Sequence, residues 1–249
     1  MPGLRRSPSA QARHPILVDS CDVTDATHRI HTGRPAAVLW DMDGTLVDTE
    51  PYWLTAETEL VHAWGGQWTL DDGLALVGSS LERSSRIIAS RGVELEPDEI
   101  IQLLTDRVIS QLADEVPWRP GARELLTALH DQGVPTALVT MSIRRMADFI
   151  AEGAGFPAFD VVIAGDEVVN GKPDPEPYLR AAQALGVDPT DCIAVEDSEF
   201  GVASAVASGA TTLAVPLHVP LPPSPAYTLW DSLDGRTLDD LFELRWVSR

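Results

Sequence analysis

Four short apolar runs, 36–40 (AAVLW), 135–140 (PTALVT), 192–196 (CIAVE) and 211–215 (TTLAV), constrain this chain more than any other feature. Each has the length of a strand, and none alternates apolar with polar residues. That is the pattern of strands covered on both faces, as in a parallel sheet. A weaker fifth run lies at 159–165 (FDVVIAG). Between the runs, 121–133 places Leu125, Leu126 and Leu129 on one helical face and ends at Gly133, while 176–186 and 199–209 also stop at glycines. Strands alternating with helices predict an α/β fold, a doubly wound parallel-sheet (Rossmann-like) core.

The stretch from Glu50 to Pro117 breaks the alternation. It holds three helical patterns, YWLTAETELVHAW, LERSSRIIASRG and PDEIIQLLTDRVISQLADEV, and no strand. A helical cap domain at 50–117 is therefore expected, inserted after the first strand into a core of 35–49 and 118–249. Ligands of such sheets bind beyond the carboxyl ends of the strands, where an insert here would lie as a lid. Residues 1–34 carry Arg5, Arg6 and Arg13 with only a brief PILV patch, too short for a secretory signal, and read as a flexible tail.

Asp41 and Asp43 follow the first run in DMDGT. Two like charges one position apart cost energy unless a cation or a phosphoryl group occupies the space between them. Thr140 ends the second strong run, followed by Met141. Lys172 sits in NGKPDPEP, a loop stiffened by three prolines, and Glu196 and Asp197 end the CIAVE run. All fall on one edge of the predicted sheet. A hydroxyl, an ammonium and two acid pairs gathered there describe a phosphoryl site: Mg²⁺ held by carboxylates, with Lys172 and Thr140 gripping non-bridging oxygens.

Each residue also has a plainer role. Asp and Gly make turns after strands, Thr140 or Ser142 could cap a helix starting near Ile143, Lys172 could be an ordinary loop lysine, and Asp197 or Ser198 could cap the helix that follows. Taken together, these roles do not account for the convergence. Asp48 and Thr49, just ahead of Glu50-Pro51, read better as helix caps, and Trp53, Trp64 and Trp68 as cap packing, with Trp53 a candidate to face the cleft.

Charge narrows the partners. The chain has 38 acids against 18 bases, net −20, which excludes a nucleic-acid binder, and any anionic substrate must be captured by local positive groups. No apolar run approaches a membrane span. Two cysteines in unlike contexts, Cys21 and Cys192, suit a reducing compartment, and a cytoplasmic location is expected.

With DMDGT, LVTMS, GKPDP and EDSEFG in this order, residues 35–215 resemble the haloacid dehalogenase superfamily phosphohydrolases with a helical (C1-type) cap, in the β-phosphoglucomutase and sugar-phosphate phosphatase group. The resemblance implies that Asp41 is the nucleophile that forms an aspartyl-phosphate. It implies that Asp43 protonates the leaving alcohol and then deprotonates water. Asp41 and Asp197 would offer side-chain oxygens to Mg²⁺, Asp43 its backbone carbonyl, and Glu196 would sit beside the metal. Thr140 and Met141 would bind the phosphoryl group, and Lys172 would offset its charge. The implied partner is a small phosphorylated metabolite, a sugar or polyol phosphate.

Rival functions fit less well. Haloacid dehalogenases lack the second acid of the first motif, receiver domains are about half this length and lack the cap, and a non-catalytic module would have lost one of the key groups. A sugar-phosphate mutase shares all four motifs. That group typically carries a His twelve positions after the nucleophile and a cap Arg three positions after a Gly; Trp53 and, counting from Gly78, Leu81 stand here, which favours hydrolysis. Arg83, Arg86 and Arg107 are candidates for touching substrate.

Overall fold

The computed structural model describes residues 33–244, together with Gly3; the tail expected at 1–34 otherwise lies outside the described residues, as does Cys21. Strand β1 (Ala37–Trp40) is buried along its whole length, as its unbroken apolar run requires. Helices α1 (Glu50–Ala63), α2 (Leu70–Leu74), α3 (Leu81–Ser90) and α4 (Pro97–Leu112) follow it without an intervening strand. The chain continues through α5 (Ala122–Asp131), β2 (Thr136–Val139), α6 (Arg144–Gly153), β3 (Val161–Ile163) and α7 (Glu176–Leu185). It closes with β4 (Cys192–Glu196), α8 (Glu199–Ser208), β5 (Thr211–Ala214), β6 (Thr228–Leu229) and α9 (Leu238–Phe242).

The sheet order is β3-β2-β1-β4-β5-β6, and every pair is parallel. The chain steps outward from β1 to β3, then crosses back to place β4 on the other side of β1. That reversal opens a crevice at the carboxyl edge. Successive residues of β1 feed different cores: Val38 and Trp40 join a cluster that also takes in Leu60, Ile88 and Leu104 of the inserted helices, while Ala37 and Leu39 pack with Tyr178 and Ala181 of α7. Both faces are covered, so both parities must be apolar. Burying each such Val or Leu stabilises the fold by roughly 1.5–3 kcal/mol.

The apolar runs did not announce β6 or α9. Strand β6 has only two residues, both partly exposed, and so carries no buried run to read. Helix α6 buries Met146, Ala147 and Ile150 and is the helix expected to begin near Ile143. Among the described residues no helix is long and apolar enough to cross a membrane.

Candidate active site

Strand register brings the acids together. Trp40 is level with Val195, and the Asp41 N–H donates to the Val195 carbonyl at 3.0 Å, so Asp41 leaves β1 beside Glu196 at the end of β4. Lys172 reaches in from the loop before α7. Its Nζ donates to Asp41 Oδ1 at 2.6 Å, to Glu196 Oε1 at 2.6 Å and to the Val139 carbonyl at 2.9 Å. Tyr178 OH donates to the same Glu196 oxygen at 2.7 Å. Glu196 Oε2 accepts from the Asp197 N–H at 3.2 Å and from Ser198 Oγ at 3.3 Å.

Three buried acids, Asp41, Glu196 and Asp197, each offer an oxygen within 4.8 Å of the others. One ammonium faces three carboxylates, which leaves two negative charges unbalanced when all are ionised. Burial and Glu196 push Asp41 up to about 7 against the pull of Lys172. Burial, Asp41 and Glu196 push Asp197 well above the ordinary carboxylate range. Burial alone would lower Lys172, but Asp41 and Glu196 outweigh it, and its pKa is raised.

The donor set fits a hard divalent cation. All three groups are carboxylates, Asp41 Oδ2 is buried without a hydrogen-bond partner among the described residues, and a charge of +2 matches the excess. The turn after β1 is shaped for the same approach. Gly44 has φ +82°, and a Cβ there would lie 2.1 Å from Asp197 Oδ2. Gly201 is equally tight: a Cβ would meet the Glu196 carboxylate at 1.9 Å.

Asp43 is held from four sides. Thr49 Oγ1 and Trp53 Nε1 donate to Oδ1 at 2.5 and 3.2 Å, and Thr140 Oγ1 and Ser142 Oγ to Oδ2 at 3.3 and 2.8 Å. Thr49 does occupy the N-cap position of α1, but its hydroxyl caps nothing because Asp43 takes it. Asp48 pairs with His218 Nε2 at 2.6 Å instead of capping. Neither Thr140 nor Ser142 caps α6, whose N-cap is Ile143 without a side-chain bond. Ser198 does cap α8, accepting from the Gly201 N–H at 3.1 Å.

These groups open onto a cleft lined by Asp41, Asp43, Thr140, Met141, Ser142 and Lys172 on the sheet side and by α1–α3 residues opposite. Met141 also accepts the Lys172 N–H on its sulfur at 3.2 Å. The three arginines expected as candidates for touching substrate do not line the cleft. Arg83 lies over the Phe200 ring, Arg86 pairs with Glu82, and Arg107 bonds the Ala56 carbonyl beside Glu59. Trp64 is exposed rather than packed, and Trp53 faces the cleft.

The haloacid dehalogenase-like hydrolase model matches residues 35–209. The chain belongs to this family. Several of the proteins it resembles are named phosphatases. The chain is 35% identical over 178 residues to fructose-1-phosphate phosphatase YqaB of Escherichia coli (strain K12), covering 71% of this chain and 94% of that one. It is 34% identical over 179 residues to a phosphorylated carbohydrates phosphatase of Thermotoga maritima, covering 70% and 81%. CbbY from Rhodobacter sphaeroides, solved in complex with xylulose-(1,5)bisphosphate, superposes with a TM-score of 0.72 at 28% identity, over 81% of this chain and 96% of that one. This haloacid dehalogenase-like hydrolase is accordingly a phosphoric monoester hydrolase.

Several groups at the site escape reading from sequence. Tyr178 looks like an ordinary apolar position of α7, and Arg119, which donates to the Gly44 and Val215 carbonyls, like a loop residue before α5. Glu50 and Glu57 resemble solvated helix acids, yet both line the cleft. Their spacing from Trp53, three and four residues along α1, was the available signal.

Proposed function

We propose that this enzyme is a Mg²⁺-dependent phosphatase that cleaves a small sugar or polyol phosphate through an aspartyl-phosphate on Asp41. The observation that carries it is the convergence of Asp41, Glu196, Asp197 and Lys172 on one edge, with an Asp41 oxygen left unpartnered. Asp41 and Asp197, with the Asp43 carbonyl, would hold the cation, and Glu196 stands at its margin, engaged by Lys172 and Tyr178. When bound, Mg²⁺ supplies charge neutralisation to the transferring phosphoryl group.

Asp41 attacks phosphorus in line, and its bond to phosphorus forms as the ester oxygen leaves. Asp43 gives that oxygen a proton and then takes one from the water that opens the acyl phosphate. Thr140 and the neighbouring Met141 amide bind phosphoryl oxygens, and Lys172 keeps Asp41 ionised while offsetting charge. The helices of 50–117 act as the cap that excludes water and contacts the alcohol. The sugar-phosphate preference rests on the relatives named above, and a cytoplasmic location suits a phosphorylated metabolite.

A mutase reading is weaker. Trp53, standing where a mutase would carry its His, is bound to Asp43. The direct test is phosphate release from a panel of phosphorylated metabolites, with and without chelator. Turnover is expected to need Mg²⁺ and to vanish in Asp41→Asn. Wild-type turnover by Asp41→Asn on every active ester would remove the nucleophile assignment.

A further inference from the structure

The cap side of the cleft presents two carboxylates, Glu50 and Glu57, and among the described residues no cation, where a second anion would need positive charge. Glu50, Trp53 and Glu57 share one face of α1 and all line the cleft. Glu57 is only 7% exposed. Its Oε2 accepts from Trp68 Nε1 at 3.2 Å, whereas among the described residues no donor meets Oε1 and no cation pairs with the carboxylate. Ser79 lines the same space, and its Oγ is buried without a partner among the described residues.

Lys172 is the single cation lining the cleft among the described residues, and it is engaged by Asp41 and Glu196 at the sheet end. The nearby arginines are occupied elsewhere. Glu57 lines the cleft with an acceptor oxygen that no protein donor among the described residues takes up, open to a ligand that supplies one. Hydroxyl groups do so, while a second phosphate or carboxylate would meet like charge without compensation.

We propose that Glu57, oriented by Trp68, is a specificity-determining residue that, with Ser79, receives hydroxyls of a neutral polyol or sugar leaving group and excludes alcohols bearing a second anionic group. The inference rests on the phosphatase reading and names its substrate class: polyhydroxyl monophosphates rather than bisphosphates or phosphorylated acids.

The test compares kcat/KM of the full chain with Mg²⁺ at pH 8, where Glu57 is ionised, on hexose and hexitol monophosphates, glucose 1,6-bisphosphate, ethanolamine phosphate and p-nitrophenyl phosphate. The wild type is expected to favour its best monophosphate over the bisphosphate by at least about tenfold. Glu57→Gln keeps an acceptor and loses the charge, and is expected to narrow that ratio by about fivefold or more. Where Glu57→Gln loses turnover of the aryl ester, Trp68→Phe, which frees the carboxylate without removing it, must narrow the same ratio. Equal use of the bisphosphate by the wild type, or an unmoved ratio in the variants, overturns the proposal. Preference for ethanolamine phosphate overturns it in favour of a cationic alcohol. Turnover of the aryl ester without discrimination defeats this inference alone; no turnover on any ester defeats the phosphatase reading and the inference with it.

Discussion

Trp53 donates its indole N–H to Asp43 Oδ1 at 3.2 Å, sharing that oxygen with the Thr49 hydroxyl. An aromatic residue of the inserted helices thus orients the carboxylate proposed to serve as acid and base, and couples the cap to the first strand's loop. Asp43→Asn is expected to lower kcat by about 10²-fold or more on alkyl esters and far less on p-nitrophenyl phosphate, whose leaving group needs little protonation. Trp53→Phe should show the same pattern at about three- to tenfold. Parallel losses on both ester types would contradict proton transfer by Asp43.

Lys172 is the ammonium that Asp41 and Glu196 share, at 2.6 Å from each. Lys172→Ala is expected to lower kcat and kcat/KM together by about 10²-fold or more, as when one preorganised donor is removed. Its melting temperature in chelator should also fall, because two buried carboxylates lose their shared cation, and added Mg²⁺ should restore part of it. A rise in KM alone, reversed by salt, would reduce Lys172 to attracting substrate.

Burial pushes Glu57 up to about 7 from 4.5, opposed by the Trp68 hydrogen bond. A folded pKa above the unfolded value means that its contribution to stability is complete below pH 4.5 and is lost as pH rises through 7. The difference amounts to about 3 kcal/mol. Glu57→Gln mimics the protonated acid. It should match the wild type in denaturant stability near pH 4.5 and exceed it at pH 8; stability curves that run parallel across this range would exclude a raised pKa.

Gly44 lies in the left-handed region, where an added Cβ would run into the Asp197 carboxylate. Gly44→Ala must move the carboxylate and strain the turn, at about 1–2 kcal/mol of stability. The apparent Mg²⁺ affinity, read from activation of turnover, should weaken by about tenfold or more. An unaltered Mg²⁺ titration in the folded variant would show that Asp197 does not hold the cation.

How much of this was legible beforehand follows from what each feature depends on. The strands at 36–40, 135–140, 192–196 and 211–215 declare themselves because burial on both faces demands unbroken apolar runs, and burial is written into each segment. The helical stretch between β1 and α5 shows equally well, since its 3.6-residue periodicity is local. Asp41, Thr140, Lys172, Glu196 and Asp197 could be gathered because parallel strands end on one edge whatever the details of packing. Side-chain partnerships are another matter. Thr49 was expected to cap a helix and instead bonds Asp43; Glu57 looks like a solvated acid and is buried against Trp68; Tyr178 looks like core and holds Glu196. Segment periodicity specifies which face turns inward but not which polar atom meets which. Such pairings reach across the chain, 99 positions for Ser142 and Asp43 and 131 for Lys172 and Asp41, and only the assembled fold brings their atoms within hydrogen-bond distance.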